Sequence, residues 1–143
     1  MKIKTIVASA LALAGILTPM TIQSQEDALQ ESCNQYFMSP FIATGKPFRA
    51  LLTGDEVAEF KASLLAGTTY RMAVCSNKSN YVIFSVYDME RNLLFSNSDF
   101  ENAPYWDFKI ENSLDCIVEA KLDSKKVQSG FAMVMTGFRL DAE

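Results

Sequence analysis

Residues 55–67, read DEVAEFKASLLAG from Asp55 to Gly67, admit two structures, and the fold class turns on which one forms. Val57, Phe60 and Leu64 stand at helical spacing among residues that favour helices, and Gly67 would cap the end. Ala58, Phe60, Ala62 and Leu64 also alternate with Glu59, Lys61 and Ser63, as a strand with one buried face requires. With that second reading, Ala66-Gly67 followed by TTYRMAV would close a hairpin. Periodicity alone leaves both open.

The rest of the chain is less ambiguous. From Phe48 onwards short apolar segments recur at roughly ten-residue spacing, divided by Gly, Asn, Asp, Ser and Pro, the pattern of an all-β sandwich. Alternation assigns inner faces to Phe48, Ala50 and Leu52, to Tyr70, Met72 and Val74, and to Val82, Phe84 and Val86. In YWDFKI, Trp106, Phe108 and Ile110 point one way and Tyr105, Asp107 and Lys109 the other; in CIVEAKL, Cys116, Val118, Ala120 and Leu122 oppose Glu119 and Lys121. GFAMVMTGFR is apolar on both faces and reads as a central strand.

The order of these segments resembles the bacterial pre-peptidase C-terminal domain, a secreted β-sandwich. Gly54-Asp55, Ala66-Gly67, and Tyr87-Asp88 through Asn92-Leu93 stand where that family has its turns, over residues 48 to 139. The chain departs from the pattern at Glu90-Arg91-Asn92, in place of a Gly-Asn turn, and at Ser113-Leu114-Asp115-Cys116, in place of Gly-Thr-Tyr. It is also similar to a sister group of small secreted bacterial proteins of unknown role. The resemblance implies a strand over the ambiguous segment, a jelly-roll-like antiparallel sandwich of about seven or eight strands, and an accessory role beside other exported proteins.

Residues 1–24 have the layout of a secretory signal peptide, with Lys2 and Lys4, an apolar run from Thr5, and a polar stretch before Ser24. The run is about 13 residues, short of the roughly 20 that cross a bilayer. Residues 25–47 then form an N-terminal segment, loose from Gln25 to Ser32, before a single domain at 48–143. The expected location is secreted or periplasmic, with no membrane insertion after cleavage. Loss of Lys2 and Lys4 takes the formal charge from −4 to −6 with no acid removed. An acidic chain with scattered lysines lacks the basic face that nucleic acid requires.

An exported protein retains disulfides, and Cys33, Cys75 and Cys116 leave one thiol unpaired. Cys75 lies opposite the face of Tyr70, Met72 and Val74, whereas Cys116 shares a face with Val118. The pairing expected is Cys33 with one of the other two. No C-x-x-C pair and no histidine is present, so metal ligation has no framework, and neither a metal nor a cofactor is expected.

The zero histidine count also removes Ser-His-Asp and Cys-His catalysis. Carboxylate pairs such as Asp99 with Glu101, Asp107 with Glu111, or Asp88 with Glu90 would be the remaining catalytic option, needing a shared cleft. Their positions on strand exteriors and turns suit a solvated surface, so no catalytic residue is assigned and the chain reads as non-enzymatic. ATGKP is not a phosphate loop, because Pro47 follows the lysine.

Binding remains, to a protein or a glycan. Tyr87, Phe100 and Tyr105 are candidate ligand-facing aromatics; Phe37, Pro40 and Phe41 would cover an end of the sandwich. A non-catalytic accessory or binding module leads, followed by a carbohydrate-binding module and a small carboxylate-dependent hydrolase. A sugar platform needs two outward aromatics side by side, whereas a protein partner needs an exposed apolar patch. In VYDMERNLLFSN, residues 86–97, the Asp, Glu and Asn residues read as a hairpin turn, without the glycine bend and bidentate acid of a calcium loop.

Overall fold

The computed structural model describes residue 15 and residues 22–75 and 81–142. Most of the expected signal segment, and the Asn77-Lys78-Ser79 sequon, lie outside the described residues. The segment at 55–67 forms a strand. Val57–Leu64 (β2) pairs antiparallel along its whole length with Leu114–Leu122 (β7), from Val57 opposite Lys121 to Leu64 opposite Leu114. Ala58, Phe60 and Ala62 turn towards the core and Leu64 is buried in it. Local helix propensity amounts to tenths of a kilocalorie per residue, and eight ladder positions with a packed inner face outweigh it.

The remaining strands are Ile42–Thr53 (β1), Thr68–Cys75 (β3), Val82–Asp88 (β4), Leu93–Ser96 (β5), Tyr105–Ile110 (β6) and Ser129–Leu140 (β8). A helix, Ile22–Asn34 (α1), precedes them, and a 3-10 turn, Asn97–Phe100, follows β5. β1 pairs with β8, β2 with β7, β3 with β6 and β4 with β5, so the chain is a long hairpin whose two arms match outwards from the β4–β5 turn. Rolled up, it adds the β3–β8 and β4–β7 pairings. Two antiparallel four-stranded sheets result, sheet A in the order β1-β8-β3-β6 and sheet B in the order β2-β7-β4-β5. That is an eight-stranded jelly-roll sandwich.

Ala66-Gly67 joins β2 in sheet B to β3 in sheet A, so it is a crossing between sheets and not the hairpin that the sequence suggested. The pairing rules decide this: β2 finds its partner in β7, and β3 in β6 and β8. Gly67, at φ 75°, occupies the left-handed region that glycine enters freely, and its N–H donates to the Ile110 carbonyl at 2.9 Å.

Between the sheets lie Met72, Val82, Phe84, Val118, Ala120, Cys116, Ala132 and Val134, none more than 1% exposed. Each large side chain so buried contributes roughly 1.5–3 kcal/mol. Apart from Phe48, which stacks on Phe60 at the margin, the assigned inner faces are present in this core, and β8 is interior to its sheet as its two apolar faces require. Its outer face is apolar because it meets a second core: Leu29 and Cys33 of α1 pack on Ala73, Cys75, Met133 and Met135, with Tyr36, Phe37 and Phe131 at the margin. The segment expected to be loose is therefore helical. Its polar composition hides a two-residue stripe, Leu29 and Cys33 four positions apart, which a helix places on one face. Residues 42–47, expected within the N-terminal segment, already belong to β1, which breaks register between Thr44 and Phe48.

Candidate functional site

Sheet A is covered on its outer side over β3 and β8, and among the described residues sheet B is open. The cover on sheet A is fastened at two points. Cys33 of α1 bonds Cys75 of β3, with Cα atoms 5.0 Å apart. Cys75 reaches the helix because alternation turns it away from Met72 and Val74, as strand parity implied. Cys116 is the unpaired thiol, buried in the main core; burial, followed by the nearby Asp115 charge, raises its pKa, so it holds its proton and is a poor nucleophile.

The second fastening is Arg71. It lies opposite Asp107 across the β3–β6 ladder and binds both carboxylate oxygens, Nε to Oδ1 at 2.7 Å and Nη2 to Oδ2 at 2.8 Å. Nη1 donates to the Tyr36 carbonyl at 2.8 Å. The guanidinium lies 4.0 Å from the Phe41 ring centroid and 4.5 Å from that of Tyr105. Such a planar fork, bidentate on one side and stacked on the other, has no lysine equivalent. Tyr105 points outward, as alternation predicts, and is spent on this cluster, with the Tyr36 ring 5.1 Å away. Phe37 and Phe41 belong to the same cover and lie on the face of sheet A, not at an end of the sandwich. A Cβ on Gly137 would stand 2.5 Å from the Phe37 ring, so glycine is what lets that ring approach β8 so closely.

The two open sides between the sheets are closed by aromatics. Phe48 of β1 stacks on Phe60 of β2 at 4.5 Å. On the other side Phe95 of β5 contacts Trp106 and Phe108 of β6, each at 5.1 Å, and Phe100 stacks on Phe95 at 5.8 Å and meets Trp106 at a tilt, 4.3 Å between ring centroids. Phe100 nevertheless keeps 48% of its surface in water. Along the same edge Met89, Leu93 and Leu94 are 47%, 55% and 53% exposed. Leu94 lies in the register break of the β4–β5 ladder, between Phe95 opposite Val86 and Leu93 opposite Tyr87. A bulge of this kind turns a side chain out of the sheet.

This edge is held from beneath by Asn97, which is fully buried. The β4–β5 ladder ends at Ser85 and Ser96. Beyond it the Asn97 side chain replaces the missing strand: Oδ1 accepts from the Phe84 N–H at 2.9 Å, and Nδ2 donates to the carbonyls of Val82 at 3.1 Å and Ala103 at 3.0 Å. In the sequence Asn97 was one more oxygen-bearing residue of the 86–97 cluster, and nothing in its neighbours signals this role.

The turn itself is self-satisfied. Asp88 Oδ1 accepts from the Glu90 and Asn92 N–H groups at 2.9 and 2.8 Å, and Oδ2 from Asn92 Nδ2 at 2.8 Å. These bonds, the Asn92 side chain first, hold the Asp88 pKa below that of an ordinary aspartate. No group of three or more Cys, Asp or Glu side chains among the described residues is placed to hold a metal. Asp107, proposed above as half of an acid pair, is consumed by Arg71.

Sheet B presents its outer face to solvent. Tyr87 lies there, half-buried, next to Ile117 and Leu93 in register. Arg91, with φ 68° in the turn, binds Glu59 of β2 through both terminal nitrogens. The pair lowers the Glu59 pKa, chiefly through the hydrogen bond. Glu59 lies directly opposite Glu119 in the ladder. Tyr87, Phe100 and Tyr105 thus occupy three surfaces: the outer face of sheet B, the β5 edge and the outer face of sheet A.

No family model matches the sequence, and no curated protein is similar to it. Among solved structures, the crystal structure of Aeromonas hydrophila PliG, a periplasmic lysozyme inhibitor of g-type lysozyme, is similar over 67% of this chain and 85% of its own, at 12% identity and a TM-score of 0.47. No described helix is long and apolar enough to cross a membrane.

Proposed function

We propose that the chain is an exported, non-catalytic binding module that recognises a protein through the β5 edge. One observation carries this reading: Met89, Leu93, Leu94 and Phe100 expose about half of their surfaces within twelve residues of one sheet edge. An apolar strip rimmed by polar groups is the usual mark of a protein contact. The rim here is acidic, with Glu90, Asp99 and Glu101 exposed around it. Arg91, the one basic residue between Tyr87 and Asn102, is turned away to Glu59. The matching surface is therefore apolar at its centre with lysines or arginines around it. Resemblance to the pre-peptidase C-terminal domain, an accessory module of exported proteins, supports the same reading.

A glycan platform has weaker support, because it needs coplanar neighbouring aromatics and Tyr87, Phe100 and Tyr105 stand apart. The test is affinity capture from an exported-protein fraction, with Leu94→Asp and Phe100→Asp as paired controls and a glycan array in parallel. A captured protein that both variants lose, and that added salt releases, is the expected result. Glycan binding, or capture indifferent to both variants, would overturn it.

A further inference from the structure

The four edge strands of the sandwich differ in how they discourage pairing. β1 is broken at Gly45-Lys46-Pro47, where its register shifts; β5 has four residues and a bulge; β6 has six residues and follows Pro104. β2 has none of these devices. Its eight residues hold unbroken register with β7 on one side, and on the other no strand pairs with it among the described residues. Ala58, Phe60 and Ala62, on its inner face, remain only partly buried. Its exposed Glu59 and Lys61 are the deterrent it does carry, and an edge of this length with unbroken backbone is otherwise a template for another strand.

We propose that this edge is a homodimer seam, in which β2 of two copies pairs antiparallel about a two-fold axis through Phe60. In an antiparallel pair, opposed residues aim their N–H and C=O groups the same way, so a two-fold axis passes through a residue and not between two. The registers of greatest overlap centre on Phe60 or on Lys61. Centring on Lys61 sets that lysine against its own copy. Centring on Phe60 sets Glu59 against Lys61 of the second copy, twice by symmetry, with Val57 opposite Ser63, Ala58 opposite Ala62, and Phe60 opposite Phe60.

The charges on each chain are incomplete in the way this register completes. Glu59 and Glu119 are cross-strand neighbours and Arg91 supplies one cation between them. Lys61 lies opposite Ile117 and makes no ion pair among the described residues. A glutamate and a lysine two positions apart repel a strand brought up in other registers but attract a second copy in this one. Sheet B then continues across the axis, and the two β5 edges lie at its far ends, both free for partners.

Analytical ultracentrifugation of the mature protein tests this, from micromolar to near-millimolar concentration. The wild type is expected to dimerise. Lys61→Glu replaces two attractive pairs by two repulsive ones and weakens dimerisation about tenfold or more, while Glu59→Lys with Lys61→Glu restores it. If circular dichroism shows that either charge reversal fails to fold, Lys61→Gln gives the smaller loss in the same direction. A wild type that stays monomeric throughout, a dimer unmoved by Lys61→Glu and Lys61→Gln, or a dimer abolished by Leu93→Ser would each overturn the seam.

Discussion

Replacing Asn97 by alanine removes three hydrogen bonds at once and leaves the Phe84 N–H and the carbonyls of Val82 and Ala103 without partners. Each unsatisfied buried polar group costs about 1–3 kcal/mol. Water entering beside the 3-10 turn recovers part of that sum, so the expected loss is about 3–5 kcal/mol, a large share of the roughly 5–15 kcal/mol that holds a domain together. Urea unfolding measures it as a lower midpoint at unchanged slope. Asn97→Asp sharpens the test. It keeps the acceptor for Phe84 but aims a carboxylate oxygen at two carbonyls, so its stability should recover as pH falls and the carboxyl regains a proton it can donate. A loss below about 1 kcal/mol in the alanine variant, or an aspartate variant with no such recovery, would refute the view that this amide replaces a strand.

Cys33→Ser with Cys75→Ser opens a loop of 42 residues' separation, and loop-closure entropy predicts a loss of about 4 kcal/mol; limited proteolysis should then cut near α1 before the sandwich. Gly137→Ala drives a methyl group into the Phe37 ring and the Ile42 carbonyl, and thermal unfolding should show a loss of about 1–3 kcal/mol. Asp88 has a folded pKa below its ordinary 3.8, so its contribution is present above the unfolded value and disappears as pH falls through the folded one. Asp88→Asn should lower stability at neutral pH and leave it nearly unchanged well below about pH 4, so that the acid limb of the stability curve flattens.

Most of the architecture is legible in alternation. Once β2 is taken as a strand, the inner faces of Val82–Val86, Trp106–Ile110 and Cys116–Leu122 follow from parity, as does the outward aim of Cys75 that lets it meet Cys33. What alternation cannot carry is which strand pairs with which, so the Ala66-Gly67 turn looked like a hairpin when it crosses between sheets. The α1 cover was hidden because two apolar residues among polar ones leave little periodic signal. Asn97 was hidden for another reason: its role depends on where β5 stops relative to β4, a relation between two strands and not a property of its neighbours. The exposed strip at Leu93-Leu94 depends likewise on a register break that only the ladder reveals.

The matched arms of the long hairpin have a consequence for how the chain folds. Ser85 and Ser96, at the inner end, are 11 residues apart, whereas Thr44 and Thr136, at the outer end, are 92 apart. Closing the wider loop costs about 2 kcal/mol more in chain entropy, so contacts should form from the β4–β5 turn outwards. Non-local pairing of this kind places folding in the millisecond-to-second range. Throughout that interval β3 waits for β8, the C-terminal strand, with its backbone edge and apolar faces uncovered. The vulnerable species is thus a chain whose last strand has not yet docked, and truncations that remove 129–140 should aggregate and not merely unfold more readily.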